Sequence, residues 1–292
     1  MIKNTEAAVL YETNSDLVVE NLNLAAPGPK EVFVQMGAAG VCHSDVHVIS
    51  GQANQIMPCV LGHEGAGLVT SIGKEVINVS VGDHVVLSWL PYCGKCYQCV
   101  RGKTHLCKAY QTPVGNGTLL DGSCRFSNLE GPVRQLGSLG CWSENVVVPE
   151  VCCVPVDKSI PFEIAALLGC AVTTGVGAVL NRAKVQNGET VVVIGAGGVG
   201  LSVVMAAKLK GASQVICIDQ NISARNLAIE LGATDFLVSK QNKDISKKLM
   251  ELTGVGADHV FEAVGKRELQ SDAIDYCLSL IHISEPTRLW TI

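Results

Sequence analysis

Three residues far apart in the chain are of types that bind zinc: Cys42, His63 and Cys170. Each sits in a short, distinctive run: Cys42-His43-Ser44-Asp45-Val46-His47, Gly62-His63-Glu64-Gly65-Ala66-Gly67, and Leu168-Gly169-Cys170 ahead of Ala171-Val172-Thr173-Thr174-Gly175. Two thiolates and one imidazole meeting on one ion leave the fourth tetrahedral position open, which is the arrangement of a catalytic zinc site. The neighbours extend that chemistry. Ser44 would hydrogen-bond a hydroxyl held at the open position. His47, an imidazole that titrates near neutrality, would take the proton and pass it to solvent. The competing reading of His47 is an ordinary surface histidine. Glu64 would tune the metal without binding it, a role compatible with a buried salt bridge.

A second cluster is local. Cys93, Cys96, Cys99 and Cys107 lie at spacings of three, three and eight. Four thiolates close the tetrahedron, so this is the pattern of a structural zinc; a four-cysteine iron–sulfur cluster is the competing reading. A metal here would order a long loop that has no core of its own.

A third constellation is glycine-rich. An apolar run over 189–194 leads directly into Gly195-Ala196-Gly197-Gly198-Val199-Gly200, a helical stretch over 201–210, and a second strand that ends at Asp219. That context is the dinucleotide fingerprint. Gly195 permits the tight turn, Gly197 the approach of the pyrophosphate to the backbone, and Gly200 close helix packing, with the helix N-terminus facing the phosphates. Asp219 would accept from the ribose hydroxyls and repel a 2′-phosphate, which favours NAD over NADP; Arg225 nearby is the feature that favours the phosphate.

Elements must position these residues. The stretches 7–11, 17–19, 31–36, 62–72 and 83–88 have strand character and are broken by turn residues, so the first half reads as an irregular β-rich domain. Residues 111–145, with six glycines, read as a long loop that would line a substrate pocket. The strand 146–149 closes this half. A helix opening at Pro161, with Ser159 as its cap, delivers Cys170. In the second half helices are expected over 223–232, between the strands 236–238 and 259–262, and over 268–280.

Composition narrows the function classes. The 292 residues carry a net charge of −5, which gives no electrostatic case for nucleic acid or an anionic membrane. The start of the chain is not a secretory signal, and the uncharged stretches 164–180 and 190–207 are short and glycine-punctuated, so they read as core. Thirteen cysteines without a signal point to a reducing, cytoplasmic setting and to metal ligation over disulfides. The seven outside the zinc sets read as small apolar side chains.

Taken together, over residues 7 to 278, these motifs resemble the zinc-dependent alcohol dehydrogenases of the medium-chain dehydrogenase/reductase superfamily. The run Gly117-Thr118-Leu119-Leu120-Asp121-Gly122 before Arg125-Phe126-Ser127 is similar to the class III and related bacterial branch. The resemblance implies an α/β protein with a GroES-like catalytic domain over 1–170 and a Rossmann domain over 171–280. It implies a catalytic zinc on Cys42, His63 and Cys170, a structural zinc on the four-cysteine cluster, and a relay through Ser44 and His47. His43 would lie by the pyrophosphate, and Thr174 and Val199 by the nicotinamide. The implied reaction interconverts an alcohol and an aldehyde or ketone with NAD, in a homodimer or homotetramer. The alternatives are a thiol-adduct formaldehyde dehydrogenase and an inactive zinc- and nucleotide-binding fragment. Residues 281–292 do not fit the family pattern. The expectation is that they are a non-native tail on a truncated sheet, leaving a chain prone to aggregation and nearly inactive.

Overall fold

The computed structural model describes residues 3–239 and 244–277. The tail expectation falls on residues outside these. Two compact units divide at Cys170 and Ala171.

The first unit is β-rich. Its strands are β1 (Lys3–Leu10), β2 (Val18–Leu24), β3 (Glu31–Ala39), β4 (Cys59–Val60), β5 (Gly65–Ile72), β6 (His84–Leu87), β7 (Phe126–Asn128), β8 (Gly131–Gln135), β9 (Asn145–Pro149) and β10 (Cys153–Val156). A closed barrel runs β1-β2-β7-β8-β4, and a five-stranded sheet runs β10-β6-β5-β3-β9. Closure removes the barrel's edges. Alternate side chains of these strands, among them Val9, Leu22, Leu24, Val32, Val34, Phe126 and Val133, form one buried core. Three helices sit on this frame: α1 (His43–Ile49), α2 (Lys108–Asn116) and α3 (Phe162–Leu168).

Three expectations are corrected here. Residues 111–145 are not one loop. They hold most of α2, both strands of the β7–β8 hairpin and the first residue of β9. Pro113 inside α2 and glycines between very short strands conceal the periodicity that reveals longer elements. Ser159 does not cap α3. Its hydroxyl and amide both bond to Asp157 Oδ1, and the extended residue Pro161 is the cap. Finally, α1 has no counterpart in the expected elements. At seven residues it is too short to carry an amphipathic period.

The second unit begins with α4 (Ala171–Gly177), which continues as a π-type turn to Ala183. Then follow β11 (Thr190–Ile194), α5 (Gly198–Leu209), β12 (Gln214–Asp219), α6 (Arg225–Leu231), β13 (Asp235–Val238), α7 (Ile245–Thr253), β14 (His259–Glu262) and α8 (Arg267–Asp275). All pairings are parallel, in the order β13-β12-β11-β14. The run Val191-Val192-Val193-Ile194 is continuously apolar because both faces are covered. Val191 and Val193 pack with Val203, Val204 and Ala207 of α5, whereas Val192 and Ile194 pack with Leu249, Ala273 and Tyr276. Among the described residues no single helix is long and apolar enough to cross a membrane.

The thirteen cysteines form no disulfide. Of the seven outside the metal sets, Cys59, Cys141, Cys152, Cys153 and Cys217 are buried, and burial pushes their thiols up. Cys124 is half-buried and Cys277 exposed, so the apolar-filler reading does not extend to these two.

Candidate metal centres and nucleotide loop

Cys42 is the N-cap of α1, in extended conformation. The helix closes on it through a carboxylate: Asp45, at the third helical position, accepts from the Cys42 amide at 3.1 Å. Asp45 is fully buried and accepts two further bonds, from the Gly62 amide at 3.1 Å and with His63 Nδ1 at 3.1 Å. One carboxylate thus ties together the two segments that carry Cys42 and His63. With Nδ1 engaged by Asp45, Nε2 is the imidazole nitrogen left to bind a metal. Gly62 has φ +87°, and a side chain there would strike Trp142, so glycine is required directly before His63. Cys170 follows α3, whose C-cap is Gly169.

The ligand atoms of Cys42, His63 and Cys170 all lie within 4.8 Å of one another. Hydrogen bonding from Cys170 pulls the Cys42 thiol down to about 3 against the cost of burial, with His63 and Ser44 adding to the effect. Burial lowers His63, but Asp45 and Cys42 outweigh it and raise the imidazole to about 10. Both shifts run toward the charged forms, a direction that favours a cation bound between thiolate and imidazole. Two sulfurs and a nitrogen at this separation fit zinc, with one tetrahedral position left over.

The Ser44 hydroxyl is exposed and lies 3.7 Å from Cys42 Sγ. His47 sits on the exposed side of the last turn of α1, its ring edge-on to His43 at 5.1 Å. Glu64 is 3% exposed, and its Oε2 fills the space where Gly40 would carry a side chain. Asp45 was not among the candidate residues expected from sequence. Its signal was a carboxylate three residues after an extended Cys, at a helix start.

The four-cysteine lobe assembles from Cys93, Cys96, Cys99 and Cys107, whose sulfurs again lie within 4.8 Å of one another. Two 3₁₀ turns, Cys99–Arg101 and Thr104–Leu106, and the start of α2 carry the chain around them. Backbone amides point at the sulfurs: Cys96 N to Cys93 Sγ at 3.4 Å and Cys93 N to Cys107 Sγ at 3.3 Å. Amide donors of this kind stabilise thiolate, and the Cys96 thiol is held down at about 6, chiefly by the amides of Cys99 and Lys108. Apart from the cysteines, this lobe's core holds only Tyr110, Val114 and Val151.

In the second unit, Gly195 turns at φ +100° directly after β11. A side chain at Gly200 would meet Gly195 O at 1.8 Å, so the turn and the helix touch there through backbone alone. At Gly197 nothing lies within 4 Å of that position, leaving the approach to the N-terminus of α5 open; Gly198 is exposed beside it. Asp219, at the end of β12, accepts from the Ala196 amide at 2.8 Å and from the Asn221 amide at 2.8 Å. Its carboxylate therefore lies beside the glycine turn. Thr174 and Val199 are half-buried, and Arg225 is exposed.

A parallel nucleotide-type sheet and a β-rich unit with a three-ligand and a four-thiolate metal set define a metal-dependent, dinucleotide-using oxidoreductase. Residues 28–158 match the alcohol dehydrogenase GroES-like domain, and residues 198–279 match the zinc-binding dehydrogenase family. The chain is 43% identical over 277 residues to the S-(hydroxymethyl)glutathione dehydrogenase of Saccharomyces cerevisiae, covering 93% of this chain and 72% of that protein. It is 40% identical over 273 residues to the S-(hydroxymethyl)glutathione dehydrogenase of Synechocystis, covering 93% and 74%. The crystal structure of benzyl alcohol dehydrogenase from Acinetobacter calcoaceticus superposes with a TM-score of 0.87 at 35% identity, covering 94% of this chain and 75% of that one. The chain belongs to the zinc-dependent alcohol dehydrogenases of the medium-chain superfamily, an NAD-dependent enzyme family. Its cofactors are zinc and NAD.

Proposed function

We propose that the chain interconverts a small alcohol and its aldehyde or ketone at the site formed by Cys42, His63 and Cys170. The observation that carries this reading is the convergence of those three donors within 4.8 Å, with Asp45 fixing the tautomer of His63. When bound, zinc supplies Lewis acidity toward the substrate oxygen, and NAD accepts the hydride. The chain's own residues do the rest. The Cys42 and Cys170 thiolates and His63 Nε2 would hold the zinc and leave room for a substrate oxygen beside it. The Ser44 hydroxyl, beside Cys42 Sγ, takes the substrate proton, and His47 at the exposed end of α1 releases it to water. Glu64 sets the field behind the ligands. Cys93, Cys96, Cys99 and Cys107 hold a second zinc that orders their lobe.

Gly195, Gly197, Gly198 and Gly200 form the pyrophosphate turn, with His43 as a further phosphate contact and Thr174 and Val199 beside the nicotinamide. Asp219 reads the ribose. The enzyme works as a homodimer or homotetramer in the cytoplasm, with no nucleic acid or membrane partner. A second reading, oxidation of a thiol adduct of formaldehyde, is favoured by the S-(hydroxymethyl)glutathione dehydrogenases among the relatives.

The test is zinc content together with NADH formation from ethanol. Two zinc ions per chain and zinc-dependent NADH formation are expected. Binding of zinc and NAD without turnover of any alcohol would leave the inactive-fragment reading standing. Asp219→Gly should relax the preference for NAD, and tighter NADP binding by the unchanged chain would overturn the ribose assignment.

A further inference from the structure

Among the described residues three histidines are exposed: His43, His47 and His105. The first two are four positions apart on α1, so their side chains leave the same flank of the helix, and their ring centroids lie 5.1 Å apart. Two histidines at this spacing on one helix face are the pair that binds zinc in helical metal motifs. The distance fits. A zinc–imidazole bond is about 2.0–2.1 Å long and the ring centre lies on the order of 1 Å beyond its nitrogen, so two imidazoles meeting on one ion at a tetrahedral angle place their centres about 5 Å apart. The rings stand at 78° to one another, and turning an exposed imidazole about its broad ring torsion costs little.

The backbone under the pair is fixed. Asp45, between them in sequence, is fully buried and accepts from the Cys42 and Gly62 amides. Val48 is buried as well. The Ser50 amide donates to Val46 O and the Ala53 amide to His47 O, each at 2.9 Å. A pair carried on an anchored helix gives up only side-chain rotamer freedom when it takes an ion.

We infer that His43 and His47 form a third metal site, for a borderline divalent cation such as zinc, with water completing its shell, and that an ion held there arrests turnover. Imidazole suits zinc, nickel and copper, whereas magnesium and calcium take oxygen ligands. The ion binds through the lone pair with which the His47 ring would otherwise accept the substrate proton, so that proton has no route to water through His47. The binding stands on α1 alone, and the arrest rests on the relay role proposed for His47. Zinc then acts on this chain with opposite sign at two places, completing the site of Cys42, His63 and Cys170 and restraining it in excess.

The test starts from the chain carrying two zinc ions, one in each cysteine-containing set. Calorimetric titration with further Zn2+ should show one more ion per chain, and titration with Mg2+ none. His43→Gln and His47→Gln should each keep the first two ions and weaken the third by more than the about 10- to 100-fold that loss of an outer-shell partner costs. Carbethoxylation of the unchanged chain, mapped by peptide mass, locates the ion: added Zn2+ should protect His43 and His47 and leave exposed His105 as reactive as before. Ethanol oxidation should fall over the Zn2+ range in which the third ion binds. Two ions only, a third ion that survives both substitutions, or equal protection of His105 would overturn the site. A third ion on His43 and His47 that leaves turnover unchanged would overturn the arrest. Absence of turnover at every zinc level would count against the enzyme reading instead, with titration and protection deciding the site.

Discussion

The two metal sets are built on opposite principles. Cys93, Cys96, Cys99 and Cys107 span fifteen positions, and apart from the cysteines their cluster packs buried Tyr110 and half-buried Val114 and Val151. Cys42, His63 and Cys170 are separated by up to 128 positions and are brought together by a helix cap, the segment leading into β5, and the end of α3. A lobe without its own core depends on its metal to fold. A site set on a barrel and sheet is positioned before the metal arrives. On the proposed reading, the local set is structural because it is complete, and the dispersed set is reactive because it stops one ligand short.

The largest expected effect breaks this comparison at the local site. Chelation, or Cys96→Ser, should unfold the lobe, because structural zinc contributes on the order of 10 kcal/mol of apparent binding energy to small metal-dependent folds. Limited proteolysis should then cut between residues 90 and 116 while circular dichroism of the barrel and sheet stays unchanged. A lobe that resists protease without zinc would mean that the three packed side chains suffice.

Next in size is Ser44→Ala. The hydroxyl is exposed and its contact with Cys42 Sγ is long, at 3.7 Å, so stability and zinc content should hold while kcat falls about 100-fold, the low end for loss of a general acid–base group. The sharper variant is Asp45→Asn. Asparagine keeps the size but cannot accept from all three donors as a carboxylate does, so zinc affinity at the dispersed site should fall about 10- to 100-fold while the lobe keeps its ion. Metal titration that resolves two sites, one weakened and one not, checks this. Equal weakening of both would show that Asp45 acts through global stability.

The contrast also explains what could be read from sequence. The lobe was legible because its ligands are neighbours in the chain. The nucleotide turn was legible because β11 is covered on both faces, so its run is unbroken, and because Gly195 turns at positive φ and Gly200 has the Gly195 carbonyl where a side chain would be. Asp45 was not singled out, although it stands in the quoted run, because its role appears only when Gly62 and His63 arrive from another segment. The helix α2 was missed because Pro113 and its mostly exposed faces erase the apolar period.

The smallest effect concerns how the segment after the lobe is fastened without metal. Arg125 bonds Glu31 in two places, Nε to Oε2 at 2.8 Å and Nη2 to Oε1 at 2.6 Å, and Nη2 also reaches Asp121 at 3.0 Å. Burial acts to raise the Asp121 carboxyl, but hydrogen bonds from Ser123 outweigh it and Arg125 adds to them, holding it down at about 2. A folded value below the unfolded value of about 3.9 means that this stabilisation is fully present above that pH and is lost as pH falls toward 2. The Asp121 side chain is 55% exposed, so solvent screening keeps the contribution below about 1 kcal/mol. Asp121→Asn should therefore lower the urea midpoint slightly at pH 6, and the two midpoints should draw together as pH drops from 4 toward 2. A gap that stays constant over that range would mean that Asp121 acts by hydrogen bonding alone and that its charge contributes nothing to fastening the segment.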